Sequence, residues 1–192
     1  SGIWGSGLDT LLTALREVIQ QKGEASFPAA DLEQVMDSRG KSLSFSPAEV
    51  EDMLSLQYGD KRMFALLSML FPFVNLRNQF HMDHVFPISR FTTAKLRKAS
   101  VPEGKIEDLA RMANELPNLQ LLEGTANTEK RDSLPSKWLA TQYPNAGDQA
   151  HYCAMHDLGV IPEALDMFEQ FHADRRERLR ARIKAVLGMG SG

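Results

Sequence analysis

The sequence has very little cysteine and no long apolar run. Its 192 residues include one cysteine, so no disulfide can form within the chain and a zinc site built from several cysteines is excluded. The densest apolar segment, around residues 64–70, is far too short to cross a lipid bilayer. The chain also lacks the basic start and apolar stretch of a secretory signal peptide. These absences favour a reducing compartment, and we expect a cytoplasmic location with no membrane partner.

The composition is otherwise that of an ordinary globular domain. Hydrophobic residues make up 43% and charged residues 24% of the chain, which excludes disordered and low-complexity classes. The length allows one full-sized domain, or one domain with a helical appendage. The chain does not begin with methionine, and glycine and serine are frequent at both ends. We therefore expect it to be a piece of a longer protein.

Basic residues are concentrated in two blocks of an otherwise acidic chain. The net charge is -3, yet residues 61–100 hold seven basic side chains and one acidic one. Residues 171–192 hold six basic and two acidic side chains. A local basic surface can bind a phosphate backbone even when the whole chain is acidic. The second block, Arg175 to Lys184, is interpreted either as such a surface or as a solvated helix face.

Apolar periodicity predicts a helical start to the chain. Leucine, valine and isoleucine recur at helical spacing through residues 8–19, and Pro28 can begin a second helix. Ser46, with Glu49 three residues later, has the pattern of a capping box and predicts a third helix reaching about Gly59. Residues 63–70 predict a buried helix that ends before Pro72. Residues 1–75 are therefore predicted to form a helical subdomain.

The periodicity then changes to that of strands. Residues 79–85 alternate apolar and polar side chains up to Pro87, and residues 118–122 form a second short strand closed by Gly124. A helix capped by Thr125 should follow. We expect residues 76–140 to form a core with an inserted helix or two, and residues 141–192 a C-terminal helical subdomain. The predicted fold class is α+β, a mostly helical domain wrapped around one strand pair.

A small set of side chains around these strands has the chemistry of a phosphodiesterase. Asp83 offers a hard oxygen ligand suited to Mg²⁺, and Asn127 could add a neutral oxygen. His84 could take a proton from a water attacking phosphorus, although a regular strand would point it away from Asp83. Lys130 lies three residues after Asn127, on the same helix face, and could neutralise a phosphate. Together these groups suffice for metal-assisted phosphodiester hydrolysis.

These motifs, in this order, resemble those of HNH nucleases. The resemblance rests on residues 81–87 (HMDHVFP), 118–122 (NLQLL) and 124–130 (GTANTEK). It implies a ββα-metal finger, which is two strands and a helix around one divalent ion. The flanking sequences are similar to GmrSD-type restriction endonucleases and anti-phage effectors such as SspE. The likeness covers about residues 40–187.

The resemblance implies a role for each matching residue. His84 corresponds to the general base, and Asp83 and Asn127 to ligands of Mg²⁺ or Mn²⁺. Asn118 corresponds to the central asparagine, which holds the loop between the strands and orients the histidine. Lys130 corresponds to a basic residue near the scissile phosphate.

The implied function is a metal-dependent endonuclease that nicks double-stranded DNA as the effector domain of a restriction or anti-phage protein. A nucleotide-dependent N-terminal regulatory half would be its partner. Arg90, Lys95, Arg97 and Lys98, in the predicted insertion, would contact DNA or form a solvated helix face. The alternatives are a catalytically idle DNA-binding or assembly module on the same scaffold and a helical interaction domain, and RNA remains open as a substrate.

Overall fold

A computed structural model describes residues 8–23, 28–40, 45–73 and 80–189 of the chain. Their regular structure is mostly helical, with one two-stranded antiparallel sheet, which agrees with an α+β class. The ten α-helices and two β-strands among these residues are α1 (Leu8–Lys22), α2 (Ala29–Ser38), α3 (Pro47–Leu54), α4 (Met63–Leu70), β1 (Phe80–His84), α5 (Thr93–Lys98), α6 (Glu103–Met112), β2 (Leu119–Glu123), α7 (Gly124–Lys130), α8 (Pro135–Gln142), α9 (Ala146–Met155) and α10 (Phe168–Val186).

The chain divides into two compact units, residues 1–46 and residues 47–192. In the first unit α1 and α2 pack on each other, with Leu11, Leu32 and Met36 buried. The boundary predicted at residue 75 stays a prediction. The helices α3 and α4 lie in the second unit and contribute to its core, where Leu54 and Leu67 are fully buried.

The two strands form an antiparallel pair with one clear register. Phe80 pairs with Glu123, Asp83 with Gln120 and His84 with Leu119. Both strands were predicted from their periodicity and are confirmed, with β2 shifted by one residue because Asn118 closes a short 3₁₀ turn, Leu116–Asn118. The helix α7 follows β2 without a loop and packs against both strands. The strands β1 and β2 and the helix α7 thus pack together as one unit.

Hydrophobic clusters lie on both faces of this sheet, because successive side chains of a strand point to opposite sides. One cluster joins Leu119 and Leu121 of β2 to α3, α4 and the C-terminal part of α10. The other contains Leu122 of β2 with residues of α5, α6, α8, α9 and the N-terminal part of α10. Since α10 enters both clusters, the predicted C-terminal subdomain of residues 141–192 belongs to the same compact unit as the strands.

Three predicted helix boundaries are wrong in detail. The third helix ends at Leu54 rather than near Gly59, because Gln57 leaves the helix to form a β-bridge with Glu115. The sequence also predicts a last helix from Pro162 to about Leu187, but that helix begins at Phe168, after a 3₁₀ turn. It further predicts a short helix from Ser89 to Lys98, and this segment is divided into a 3₁₀ turn and α5, with the buried Phe91 between them. Tertiary contacts override local propensity at each position.

No helix among the described residues combines the length and the apolar character that crossing a bilayer would require.

Candidate functional site

The imidazole of His84 is held at the end of β1 by two neighbours. Its Nε2 lies 3.0 Å from Oδ1 of Asn114, and the Tyr58 ring lies 4.7 Å away, centroid to centroid, at a tilt of 34°. The Asn114 amide nitrogen donates to the Ala110 carbonyl at 3.3 Å, which turns Oδ1 towards the histidine. Nε2 therefore carries the proton and donates it. Nδ1, which has no hydrogen-bond partner among the described residues, keeps a lone pair for accepting another proton.

Burial favours the neutral form of this histidine. His84 is 9% exposed, and desolvation lowers the pKa of its imidazole below 6.5. The hydrogen bond to Asn114 and the charge of Asp83 oppose that shift without reversing it. At neutral pH the ring is therefore uncharged, with its proton on Nε2 and a lone pair on Nδ1.

The carboxylate of Asp83 is bound through one oxygen only. Gln120 Nε2 donates to Oδ2 at 3.0 Å, and Nζ of Lys130 lies 2.8 Å from the same oxygen. Oδ1 has no partner among the described residues, and the Asp83 side chain is 14% exposed. Oδ1 is thus a hard oxygen, of the kind that Mg²⁺ binds, and no donor among the described residues occupies it.

Lys130 connects Asp83 to His84. Its ammonium group pairs with Asp83 and also donates to the backbone carbonyl of His84. Its side chain is 1% exposed, and burial lowers its pKa although Asp83 raises it. The sequence predicts a cation near a phosphate, whereas the described structure makes Lys130 a buried partner of Asp83. Arg131, which follows it, ends α7 with a positive φ of 46°.

Asn118 fixes the two residues after His84. Its side-chain oxygen accepts from the Phe86 N–H at 2.9 Å, and its amide donates to the carbonyls of Phe86 at 3.0 Å and Ala113 at 2.8 Å. Its backbone carbonyl accepts from the Val85 N–H at 2.7 Å. Asn118 is fully buried. It thus holds the turn that follows β1, a positioning role like the one that the resemblance implies.

Of the predicted site residues, Lys130 contacts the Asp83 carboxylate and the backbone carbonyl of His84, and Asn118 holds the turn that follows His84. Asp83 and His84 are consecutive residues of β1, and among the described residues the His84 imidazole contacts Asn114 and Tyr58 rather than the Asp83 carboxylate. Asn127 lies on α7, one helical turn before Lys130, but its side chain is outside the described part of the chain. Its role as a ligand stays a prediction.

Nothing in the described residues resembles a metal site built from three or more His, Cys, Asp or Glu side chains. A magnesium ion needs only one or two protein ligands, because it keeps most of its waters. The free oxygen of Asp83 fits that requirement. The ammonium group of Lys130 already pairs with Oδ2 of this carboxylate. A divalent ion on Oδ1 would therefore lie close to a second positive charge.

Three residues that contact this site were not identified from the sequence. Asn114 and Tyr58 contact His84, and Gln120 contacts Asp83. Asn114 stands where a helix ends and Tyr58 in a turn that continues from α3, so both have the pattern of ordinary helix ends. For Gln120 the sequence did contain an indication, because it lies on the second predicted strand. Once the two strands pair in the observed register, Gln120 lies opposite Asp83.

The two basic blocks have different structures. In the second, the arginines of α10 bind the protein itself: Arg175 is fully buried and donates to the Pro117 and His156 carbonyls, and Arg180 pairs with Glu51. In the first, Lys95 and Lys98 on α5 are exposed and have no ion-pair partner among the described residues. The arginines of the second block are thus engaged within the protein, whereas Lys95 and Lys98 on α5 have no such ion-pair partners among the described residues.

Comparison with protein-family models finds no match to this chain, and a search of curated proteins finds none either.

Proposed function

We propose that the chain is a metal-dependent HNH endonuclease domain that nicks DNA. The observation that supports this best is the packed strand–strand–helix unit in which Asp83 and an oriented, neutral His84 are neighbours. Asn118 holds the turn beside them from a fully buried position. The motif resemblance implies this arrangement: an acidic ligand and a base at one strand end, with an asparagine that fixes the loop.

In this proposal His84 is the general base. Nε2 is engaged by Asn114, so Nδ1 takes the proton of the attacking water, and the lowered pKa keeps that nitrogen free at neutral pH. Asn114 and Tyr58 restrict the ring to one tautomer and one orientation. A base that is already positioned reduces the entropy cost of bringing it and the attacking water together at the reacting phosphorus.

Asp83, with Asn127 on α7, would hold the divalent ion. Mg²⁺ or Mn²⁺ bound there would stabilise negative charge on the phosphate and the leaving oxygen. Lys130 orients the Asp83 carboxylate and balances its charge. A single site of this kind cuts one strand, so the expected product of a monomer is a nick.

A catalytically idle DNA-binding module is the second candidate, and one observation favours it. Lys130 already neutralises Asp83 inside the protein, at 2.8 Å, so the carboxylate has a counter-ion without any metal. A protein with this fold could keep its structure and its DNA contacts after it has lost catalytic activity.

Supercoiled plasmid separates these two candidates. With Mg²⁺ or Mn²⁺ the purified protein should convert supercoiled DNA to open circles, and EDTA should stop the conversion completely. A folded protein that retards DNA in a gel but leaves it supercoiled with either ion would contradict the nuclease proposal and support the idle module.

We expect DNA binding to use α5, because Lys95 and Lys98 are exposed there and no carboxylate among the described residues pairs with them. Replacing both Lys95 and Lys98 by glutamine should weaken DNA binding and reduce the slope of log affinity against log salt by about two, since each lost phosphate contact removes about 0.9. The measurement is fluorescence anisotropy of a labelled duplex at several salt concentrations.

The matched control removes charge from the other basic block. Arg180→Gln should destabilise the protein, because Arg180 pairs with Glu51, but it should leave the salt slope unchanged. A loss of slope in Arg180→Gln of about half that in the double lysine variant would show that binding follows net charge and not the α5 surface, because the control removes one charge and the double variant removes two.

A further inference from the structure

A line of hydrogen bonds runs from α9 to the carboxylate of Asp83. The Tyr152 hydroxyl donates to Oε1 of Gln120 at 3.0 Å, and Nε2 of the same amide donates to Oδ2 of Asp83 at 3.0 Å. Tyr152 and Gln120 are buried, 7% and 1% exposed. We propose that Gln120 and Tyr152 are positioning residues that set the orientation of Asp83, so that α9 belongs to the working site. This inference rests on the proposed function.

The direction of each bond is fixed by chemistry. An ionised carboxylate can only accept, so the amide of Gln120 must turn its nitrogen to Asp83 and its oxygen to Tyr152. The phenol must then donate. Burial raises the pKa of Tyr152 well above its ordinary value, so the hydroxyl keeps its proton throughout the physiological range. Reversing the amide would set its oxygen against the carboxylate and leave two buried acceptors facing each other.

Two donors on one oxygen determine which oxygen stays available. Gln120 and Lys130 approach Oδ2 from different elements, β2 and α7. Rotation of the carboxylate about its bond to the β-carbon would break both contacts. Oδ1 is therefore the oxygen left to bind a cation. Groups that orient a metal-binding carboxylate in this way typically change metal affinity by about 10- to 100-fold when they are removed.

Tyr143 provides a matched control for Tyr152. Its ring lies 5.2 Å from that of Tyr152 in the same aromatic group, but its hydroxyl takes no part in the line of bonds to Asp83. Tyr143→Phe and Tyr152→Phe therefore make the same chemical change in adjacent rings. Only the second removes a donor from Gln120.

The experiment measures Mn²⁺ affinity by electron paramagnetic resonance and the ¹³C shift of the Asp83 carboxylate by NMR without metal. Gln120→Leu should weaken Mn²⁺ binding by about 10- to 100-fold, Tyr152→Phe by less, and Tyr143→Phe not at all. The metal-free Asp83 signal should move in the first two variants only. Adding Tyr152→Phe to Gln120→Leu should cause no further loss of affinity, because the tyrosine acts through the amide.

Each other outcome is decisive. If the ¹³C shift of Asp83 is the same in wild type, Gln120→Leu and Tyr152→Phe, the proposed positioning of Asp83 is wrong. Losses of Mn²⁺ affinity that add up in the double variant would also contradict it, because the tyrosine would then not act through Gln120. If the wild type binds no Mn²⁺ but its Asp83 signal responds to both substitutions, the positioning holds and the nuclease proposal fails. Circular dichroism identifies any variant that fails to fold, and for such a variant Gln120→Met, which keeps the side-chain length and removes the donor, replaces Gln120→Leu.

Discussion

Replacing His84 by alanine is expected to reduce the rate of plasmid nicking by about 100- to 10,000-fold, the contribution that a positioned general base usually makes. Among the described residues of this site, the imidazole has a free lone pair on Nδ1 suited to accept a proton at neutral pH, whereas the Asp83 carboxylate is paired with Lys130, a buried cation. Single-turnover nicking at saturating Mn²⁺ measures the rate.

His151→Ala is the matched control, because His151 is an exposed histidine on α9 to which no role is assigned. That variant should nick as fast as the wild type. Mn²⁺ affinity should be unchanged in His84→Ala, since the proposed ligands are Asp83 and Asn127. A His84→Ala protein that is folded, binds Mn²⁺ and nicks at the wild-type rate would exclude His84 as the base.

The pH profile of the wild type should reflect the lowered pKa of His84. A base acts in its unprotonated form, and burial moves the protonation of this ring below its ordinary 6.5. The nicking rate should therefore fall to half of its neutral-pH value only below pH 6.5. A rate that halves at pH 6.5 or above would show that the group being titrated is not a buried, neutral His84.

Local patterns were sufficient to predict the elements around the site. Alternation of side chains identified β1, and an apolar run closed by glycine identified β2, because the period of a strand is a property of the strand itself. The pairing of Lys130 with Asp83 did not follow from these patterns, because the sequence predicts Lys130 beside a phosphate and the contact arises from the packing of α7 on β1.

The partners of these side chains could not be predicted, because they depend on long-range packing. Tyr152 reaches Gln120 from α9, 32 residues further along the chain, and Tyr58 reaches His84 only because α3 ends early. Charge counting failed for a related reason. The arginines of α10 and the lysines of α5 look alike in sequence, but only the former meet carboxylates and carbonyls of other elements.

Removing the ammonium group of Lys130 is expected to have the largest effect on stability. Lys130→Met should lower the free energy of unfolding by about 3–5 kcal/mol, because it leaves the mostly buried charge of Asp83 without its partner. Urea denaturation followed by circular dichroism measures the loss. Lys137→Met is the control, since Lys137 is exposed on α8 and its loss should change stability by no more than about 0.5 kcal/mol.

A second substitution tests what the pair contributes as a whole. Burial lowers the pKa of Lys130 despite the nearby Asp83. Because the desolvation of two buried charges can exceed their mutual attraction, Asp83→Asn combined with Lys130→Met should recover most of the stability lost by either single variant. The double variant should also lose nicking altogether, because Asp83 is the proposed metal ligand.

The alternative outcome concerns stability. If the double variant loses as much free energy of unfolding as the two single variants together, each side chain stabilises the fold through other contacts. Recovery of stability together with loss of cleavage would mean that the ion pair is maintained for chemistry, at the expense of the fold.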